Sequence, residues 1–232
     1  MIVGNGLLAK TFRKYKEDKE NIIFASGVSN SLSTDKNDYA REKKLLLKVI
    51  KEHSEKKLIY FSSCDVENKN MNQKVYYQHK LNMEYTIANL HPNHTIFRLP
   101  QVIGETKNKN TLINFLFNAI KFDKEFIIYS GTYKNLIDVR DVYKICSYVI
   151  DNKLPIKLLN VVNTHYIEVE ELVFLIEKIL DKKAKYTKKN IKSIPKYNDI
   201  ETRKIYQKIG INFNKNYLDN VLKYYYLEQK SK

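Results

Sequence analysis

The chain has 232 residues, 43% of them hydrophobic and 12% aromatic, and a formal net charge of +15. That apolar content supports a sizeable core, as one large domain or one with a small lobe. No apolar run reaches the length needed to span a bilayer, and the N-terminus lacks a basic region followed by an apolar signal core, so no membrane association is expected and the expected compartment is the cytoplasm.

The positive balance raises nucleic acid as a partner. The basic residues, however, are nearly all lysines spread along the chain, and only Lys182 to Lys196 forms a dense basic cluster. With no aromatic platform or recognition helix beside it, nucleic acid is the weaker candidate, and a phosphorylated small molecule would also suit a positive surface. Cys64 and Cys146 show no spacing that suggests a disulfide framework or a metal cluster, so reduced thiols and no structural metal are expected.

In chain order, the first element is the most informative. A short apolar strand from Met1 runs straight into Gly4-Asn5-Gly6-Leu7-Leu8-Ala9, a Gly-x-Gly-x-x-Ala turn that opens a helical stretch. Gly4 permits the tight turn, Gly6 lets backbone N–H groups approach a pyrophosphate, and Ala9 lets helix pack on strand. The helix N-terminus then faces the anion, with Asn5, Leu7 and Leu8 completing the candidate cofactor-binding turn.

Ile22 to Ala25 reads as a short buried strand, Tyr39 to His53 as a helix, Lys57 to Phe61 as a strand and Tyr76 to Leu90 as a helix. His94 to Leu99 returns as a strand, ended by Pro100, which cannot donate to a ladder. Strands separated by helices imply parallel pairing through crossovers. The predicted fold class is α/β, a Rossmann-like doubly wound parallel sheet with a small C-terminal substrate lobe. Beyond Gly104 the pattern predicts a helix at Thr111 to Lys121 and two short strands, Phe126 to Tyr129 and Leu136 to Val139. A helix from Asp141 to Asp151 follows, with Asp141 as its N-cap. Then come a strand at Leu158 to Val162, an amphipathic helix at Val169 to Leu180 and two closing helices. This divides the chain into a dinucleotide-binding region, 1–104, and a substrate-binding region, 105–232, intertwined in one compact unit.

A second constellation stands on that scaffold. Ser62-Ser63-Cys64 follows the Lys57–Phe61 strand, which places hydroxyls at the carboxyl end of a parallel strand, where α/β sheets bind ligands. Thirteen residues after Ser63 comes Tyr76, with Lys80 one helical turn further on the same face. A phenol titrates near pH 10, and an ammonium one turn away favours its phenolate. Ser63 could orient a substrate oxygen while Tyr76 transfers the proton, a general acid/base for carbonyl and alcohol interconversion beside a hydride carrier. Because the chain holds 18 tyrosines, Tyr-x-x-x-Lys also occurs as Tyr15/Lys19, Tyr39/Lys43 and Tyr226/Lys230. Only Tyr76/Lys80 follows a Ser-Ser strand end and opens a helix leading to another strand.

With these residues in view, the chain resembles the extended short-chain dehydrogenase/reductase family, the NAD-dependent epimerases and dehydratases that act on nucleotide sugars. The segments GNGLLA, FASGVSNS, YFSSCDV, YYQHKLNMEY, FRLPQVIGE, NLIDVRDVYK and LNVVNTHYIEVEELV follow the family's order over nearly the whole length. The resemblance implies bound NAD or NADP and a catalytic set of Ser63, Tyr76 and Lys80. It also implies that Ala25, Ser26, Gly27, Ser62 and Lys80 line the cofactor, with Pro100 beside the nicotinamide. Cys64, Asp65, Gln101 and Lys134 fall on the substrate side, the last two at positions where relatives usually carry Asn and Arg against the nucleotide-sugar diphosphate. The implied activity is 4-keto reduction or epimerisation in surface polysaccharide synthesis.

Departures from the family pattern matter as well. The second strand and its helix are missing, and with them the acidic residue that normally accepts the adenosine ribose hydroxyl. Contact by Arg13 or its neighbours would favour a phosphorylated ribose. The loop between Ser63 and Tyr76 is shortened. One of the two adjacent acids expected of a dehydratase is replaced by Cys64, which disfavours dehydration. Epimerisation needs a further base, for which Asp65, Cys64 and His79 are candidates; alternatively Asp65 forms a turn, Cys64 is a buried hydrophobe and His79 faces solvent. Arg98, inside an apolar strand, reads as a paired structural charge. The Tyr224-Tyr225-Tyr226 run packs a terminal helix, which leaves a homodimer open. The rival reading is a degenerate family member that binds nucleotide or a partner without turnover.

Overall fold

A computed structural model describes residues 1–68 and 74–227. Along the chain run β1 (Ile2–Val3), α1 (Leu7–Thr11), β2 (Asn21–Phe24), α2 (Lys36–Glu52), β3 (Lys57–Ser63), α3 (Val75–Leu90), β4 (His94–Leu99) and β5 (Gln101–Ile103). They are followed by α4 (Leu112–Lys121), β6 (Phe126–Asp138), α5 (Val139–Asp151), β7 (Leu158–Asn160), β8 (Tyr166–Glu168), α6 (Val169–Leu180), β9 (Tyr186–Ser193), α7 (Ile200–Ile209) and α8 (Tyr217–Tyr226).

Five strands form a parallel sheet in the order β1-β2-β3-β4-β7. Successive side chains of a strand point to opposite faces, and a parallel sheet covered on both sides needs apolar residues on each. β3 shows this directly: Leu58 and Tyr60 enter one core with Leu46 and Val49 of α2 and Met83 and Ile87 of α3. Ile59 and Phe61 enter the other, with Phe12, Val142 and Ile145 of α5, and Ile205 of α7. The sheet is therefore doubly wound, as the alternation of strands and helices implies. β7 comes from the second half of the sequence and completes the sheet of the first.

A second, four-stranded sheet is centred on β6, which pairs in parallel with β5 and β9 and antiparallel with β8. Its core gathers Leu116 and Phe117 of α4, Leu172 and Ile176 of α6 and Leu222 of α8.

Two expectations are corrected here. The two strands read at Phe126–Tyr129 and Leu136–Val139 are one strand, β6, continuous through the polar stretch Ser130–Asn135. Partner ladders satisfy that stretch, and the register shifts between Ser130 and Thr132, where Gly131 adopts a φ of 78°. Helix α5 starts at Val139 and is capped by Asp138, whose carboxylate accepts the Arg140 N–H at 2.8 Å. Asp141 instead lies in the first turn and accepts from the Tyr217 hydroxyl at 2.8 Å. Most of the basic cluster Lys182–Lys196, for which the sequence predicted no element, is strand β9, its lysines carried on a solvated ladder beside β6.

Candidate active site

The chain reverses sharply after β1. Gly4 has a φ of 124°, and a Cβ there would stand 2.4 Å from the carbonyl oxygen of Ala25. Only glycine allows the β1–α1 turn to lie against the end of β2 in this way. Above this junction, at the carboxyl ends of the parallel strands, opens a cleft of about 470 Å³. Asn5, Gly6, Leu7 and Leu8 line it from the first turn, Ala25, Ser26 and Gly27 from the end of β2, and Ser62 and Ser63 from the end of β3. Tyr76 and Lys80 reach it from α3, and Pro100 and Gln101 close it after β4. Gly4 lies beneath the lining rather than in it.

The three residues named as a catalytic set thus share one cleft. Ser63 caps the 3₁₀ turn Cys64–Glu67, its Oγ accepting the Asp65 N–H at 3.3 Å. The Ser62 Oγ is buried and has no hydrogen-bond partner among the described residues. Of the other Tyr/Lys pairs, Lys19 lies outside any helix, Tyr39 gives its hydroxyl to the Ser33 carbonyl, and Lys230 lies outside the described residues.

Lys80 has a second role that periodicity does not reveal. Its Nζ donates to Glu42 Oε1 at 3.0 Å and to the Tyr60 hydroxyl at 3.1 Å, and Tyr60 donates to the same carboxylate at 2.9 Å. The Val28 N–H donates to Glu42 Oε2 at 2.7 Å, and His79 Nε2 lies 3.2 Å from that oxygen. Burial by itself would raise the Glu42 carboxyl pKa, but the Lys80 ammonium, His79 and the Val28 N–H overcome it and hold the carboxyl at about 2. Gly27 makes room for the pair, since a Cβ there would meet Lys80 Nζ at 2.6 Å. One sequence signal was available: Glu42 lies on the apolar stripe of α2 with Tyr39, Leu46, Val49 and Ile50, and a carboxylate on such a stripe needs a buried partner.

The pair corrects two expectations. The Tyr76 phenol is not made more acidic: burial pushes its pKa upward, against the opposing pull of Lys80. The Lys80 ammonium is 5.8 Å from the Tyr76 ring centre and is neutralised locally by Glu42. His79 is neither a free base nor a solvent-facing residue; its ring lies tilted against Tyr39, the ring centres 4.7 Å apart, and only 10% of its side chain is exposed.

Cys64 is also corrected. It is fully buried, its thiol donates to the Arg98 carbonyl at 3.2 Å, and burial pushes its pKa up, so it can neither touch substrate nor act as a base. Asp65, Gln101 and Lys134 meet in a narrow crevice next to the cleft, with Gln101 lining both. Asp65 is held by two phenols, Tyr197 at 2.7 Å and Tyr77 at 3.3 Å, one on each oxygen. Desolvation pushes the Lys134 ammonium pKa down. Arg98 is paired with Glu84 at 2.5 Å and Glu67 at 2.7 Å. Among the described residues no cluster of three or more His, Cys, Asp or Glu could hold a metal ion, and no helix is long and apolar enough to cross a membrane.

No family model and no curated protein matches the sequence. Solved structures do share its fold. UDP-glucuronic acid 4-epimerase from Bacillus cereus, in complex with UDP-glucuronic acid and NAD, superposes with a TM-score of 0.71 at 18% identity, over 94% of this chain and 78% of that one. RMD from Pseudomonas aeruginosa, complexed with NADPH, gives 0.71 at 13% identity over 95% of both chains. UDP-N-acetylglucosamine 4-epimerase from Methanobrevibacter ruminantium, in complex with UDP-N-acetylmuramic acid, gives 0.66 at 18% identity, over 96% of this chain and 80% of that one. At these identities the likeness is one of fold.

Proposed function

We propose that the cleft binds NAD(H) or NADP(H) and that the chain is a nucleotide-sugar oxidoreductase, working as a 4-keto reductase or epimerase in surface polysaccharide synthesis in the cytoplasm. The observation that carries this reading is the convergence of Ser63, Tyr76 and Lys80 on one cleft with the Gly4–Leu8 turn. The residues fit a dinucleotide: the turn at Gly4 has no room for a Cβ, and the buried Ser62 Oγ at the cleft wall has no partner among the described residues. The fold's solved neighbours, crystallised with NAD or NADPH and with UDP-sugars, support the same choice.

When bound, the nicotinamide gives or accepts the hydride. In this reading the Ser63 hydroxyl orients the substrate oxygen, and Tyr76 supplies or removes the proton at its hydroxyl. Lys80 holds positive charge beside the phenol, and Gln101 and Lys134 receive the substrate's diphosphate from the adjoining crevice. With Cys64 buried and both Asp65 oxygens engaged, no candidate for a second base is free, which favours reduction over epimerisation.

One observation favours the rival, a member that binds nucleotide without turnover: the ammonium that should acidify Tyr76 is tied to Glu42. Calorimetric titration with NADH and NADPH, followed by turnover assays on UDP- and dTDP-4-keto sugars, separates the readings. Micromolar dinucleotide binding with turnover supports the enzyme; binding without turnover, or binding of neither dinucleotide, removes the enzyme reading and favours the rival that binds nucleotide or a partner.

A further inference from the structure

A second cavity opens at the other end of the parallel sheet. Asn21, Lys57 and His94 are the first residues of β2, β3 and β4, and in a parallel sheet such residues share one edge, opposite the carboxyl ends that carry the cleft. Here they line a crevice of about 550 Å³, closed by the segment between α5 and β7. Four lysines reach it from separate stretches of chain: Lys19 before β2, Lys57 at the start of β3, Lys153 after α5 and Lys157 before β7.

The charges in the crevice are not balanced. Of its two carboxylates, Glu20 is taken by Lys153 at 2.9 Å, and Glu55 is exposed and makes no ion pair among the described residues. Among those residues Lys19, Lys57 and Lys157 have no carboxylate within ion-pair distance; Lys57 makes one long contact, 3.5 Å to the Leu154 carbonyl, and Lys157 donates to the Pro92 carbonyl. Lys57 is half-buried, and burial and the Lys157 ammonium both push its pKa down. His94 is buried beside them, its Nδ1 2.6 Å from the His91 carbonyl, so that nitrogen carries a proton. Burial, with Lys157, His91 and Lys57 adding to it, pushes the His94 pKa down against the pull of that carbonyl. Cationic groups gathered in a concave, partly desolvated place repel one another, and a bound anion removes that cost. We propose that this crevice binds a phosphorylated small molecule, with Lys57, Lys157 and Lys19 on the phosphate and Leu154, Pro155 and Ile156 against the less polar part of the ligand. Lysine ammoniums hold phosphate as point charges from several directions, which three separate stretches of chain provide here. The site is distinct from the cleft and does not depend on how the cleft is read.

Inorganic pyrophosphate is the probe that tests this. Followed by NMR in the wild type, the His94 imidazole should titrate at higher pH once pyrophosphate is added, because a neighbouring anion stabilises the imidazolium. Calorimetry gives the affinity. Replacing both Lys57→Gln and Lys157→Gln should weaken it roughly tenfold or more, the range for lost charge-assisted hydrogen bonds. Lys19→Gln, a change confined to an exposed side chain, should weaken it less but measurably. Binding that leaves His94 unmoved, or that survives undiminished in both variants, puts the anion elsewhere and overturns the proposal, as does the absence of binding at millimolar pyrophosphate.

Discussion

The Glu42 carboxylate and the Lys80 ammonium meet 3.0 Å apart with 0% and 4% of their side chains exposed, which ties α2 to α3 directly beneath the cleft. Two charges so placed are held by each other and by the Tyr60 hydroxyl and Val28 N–H around them. Removing one partner leaves the other buried and uncompensated, a loss of about 3–5 kcal/mol in comparable pairs.

Glu42→Gln should therefore lower stability toward urea by a few kcal/mol, and it should also change the pH dependence. A carboxyl at about 2 in the folded chain, against an ordinary 4.5, is depressed. It contributes stability that is fully present above about pH 4.5 and is lost as pH falls toward 2. The gap corresponds to about 3 kcal/mol. Urea midpoints of the wild type should fall more steeply across that window than those of the variant, and parallel curves would refute the assignment.

Tyr76→Phe should keep the fold and the dinucleotide affinity while lowering kcat by roughly a hundredfold or more, the range for a lost general acid. A variant with undiminished turnover would remove Tyr76 from proton transfer.

The two glycines of the first turn should behave differently. Gly4→Ala forces a side chain into a φ of 124° and against the Ala25 carbonyl, so its thermal midpoint should drop, with backbone strain alone costing about 1–3 kcal/mol. At Gly6 a Cβ meets nothing within 4 Å. Gly6→Ala should leave stability within about 0.5 kcal/mol yet weaken dinucleotide binding, since the ligand must approach that backbone. Equal melting shifts for both variants would contradict the geometry.

Both cysteines are buried and free, with thiol pKa values raised by desolvation. A thiol reagent should modify neither at neutral pH until the chain unfolds. Rapid labelling of the native chain, located at Cys64 by peptide mapping, would show that Cys64 is reachable after all.

How much of this was legible in the sequence follows from how local each feature is. The strand at His94–Leu99 and the helix at Val169–Leu180 have the bounds that their apolar runs predict, because burial of those runs is what forms them. Ser63, Tyr76 and Lys80 could be picked out because strand end and helix start place them by chain order. β6 was split because Ser130–Asn135 is polar and becomes strand only through partners far along the chain, Tyr166–Glu168 and Tyr186–Ser193. The clamp on Asp65 by Tyr197 joins positions 132 residues apart, and the loss of Lys80's charge to Glu42 joins positions 38 apart. No local pattern encodes such distances.

The parallel sheet tapers at both margins: β1 contributes two residues and β7 three, while the central β3 contributes seven. An open strand flank invites foreign chains in proportion to the row of unsatisfied amides it offers. Flanks this brief present almost no template, so the sheet is poorly suited to recruiting a stray strand and seeding cross-β aggregates, even though its central strands carry the apolar, β-branched and aromatic character that such growth exploits.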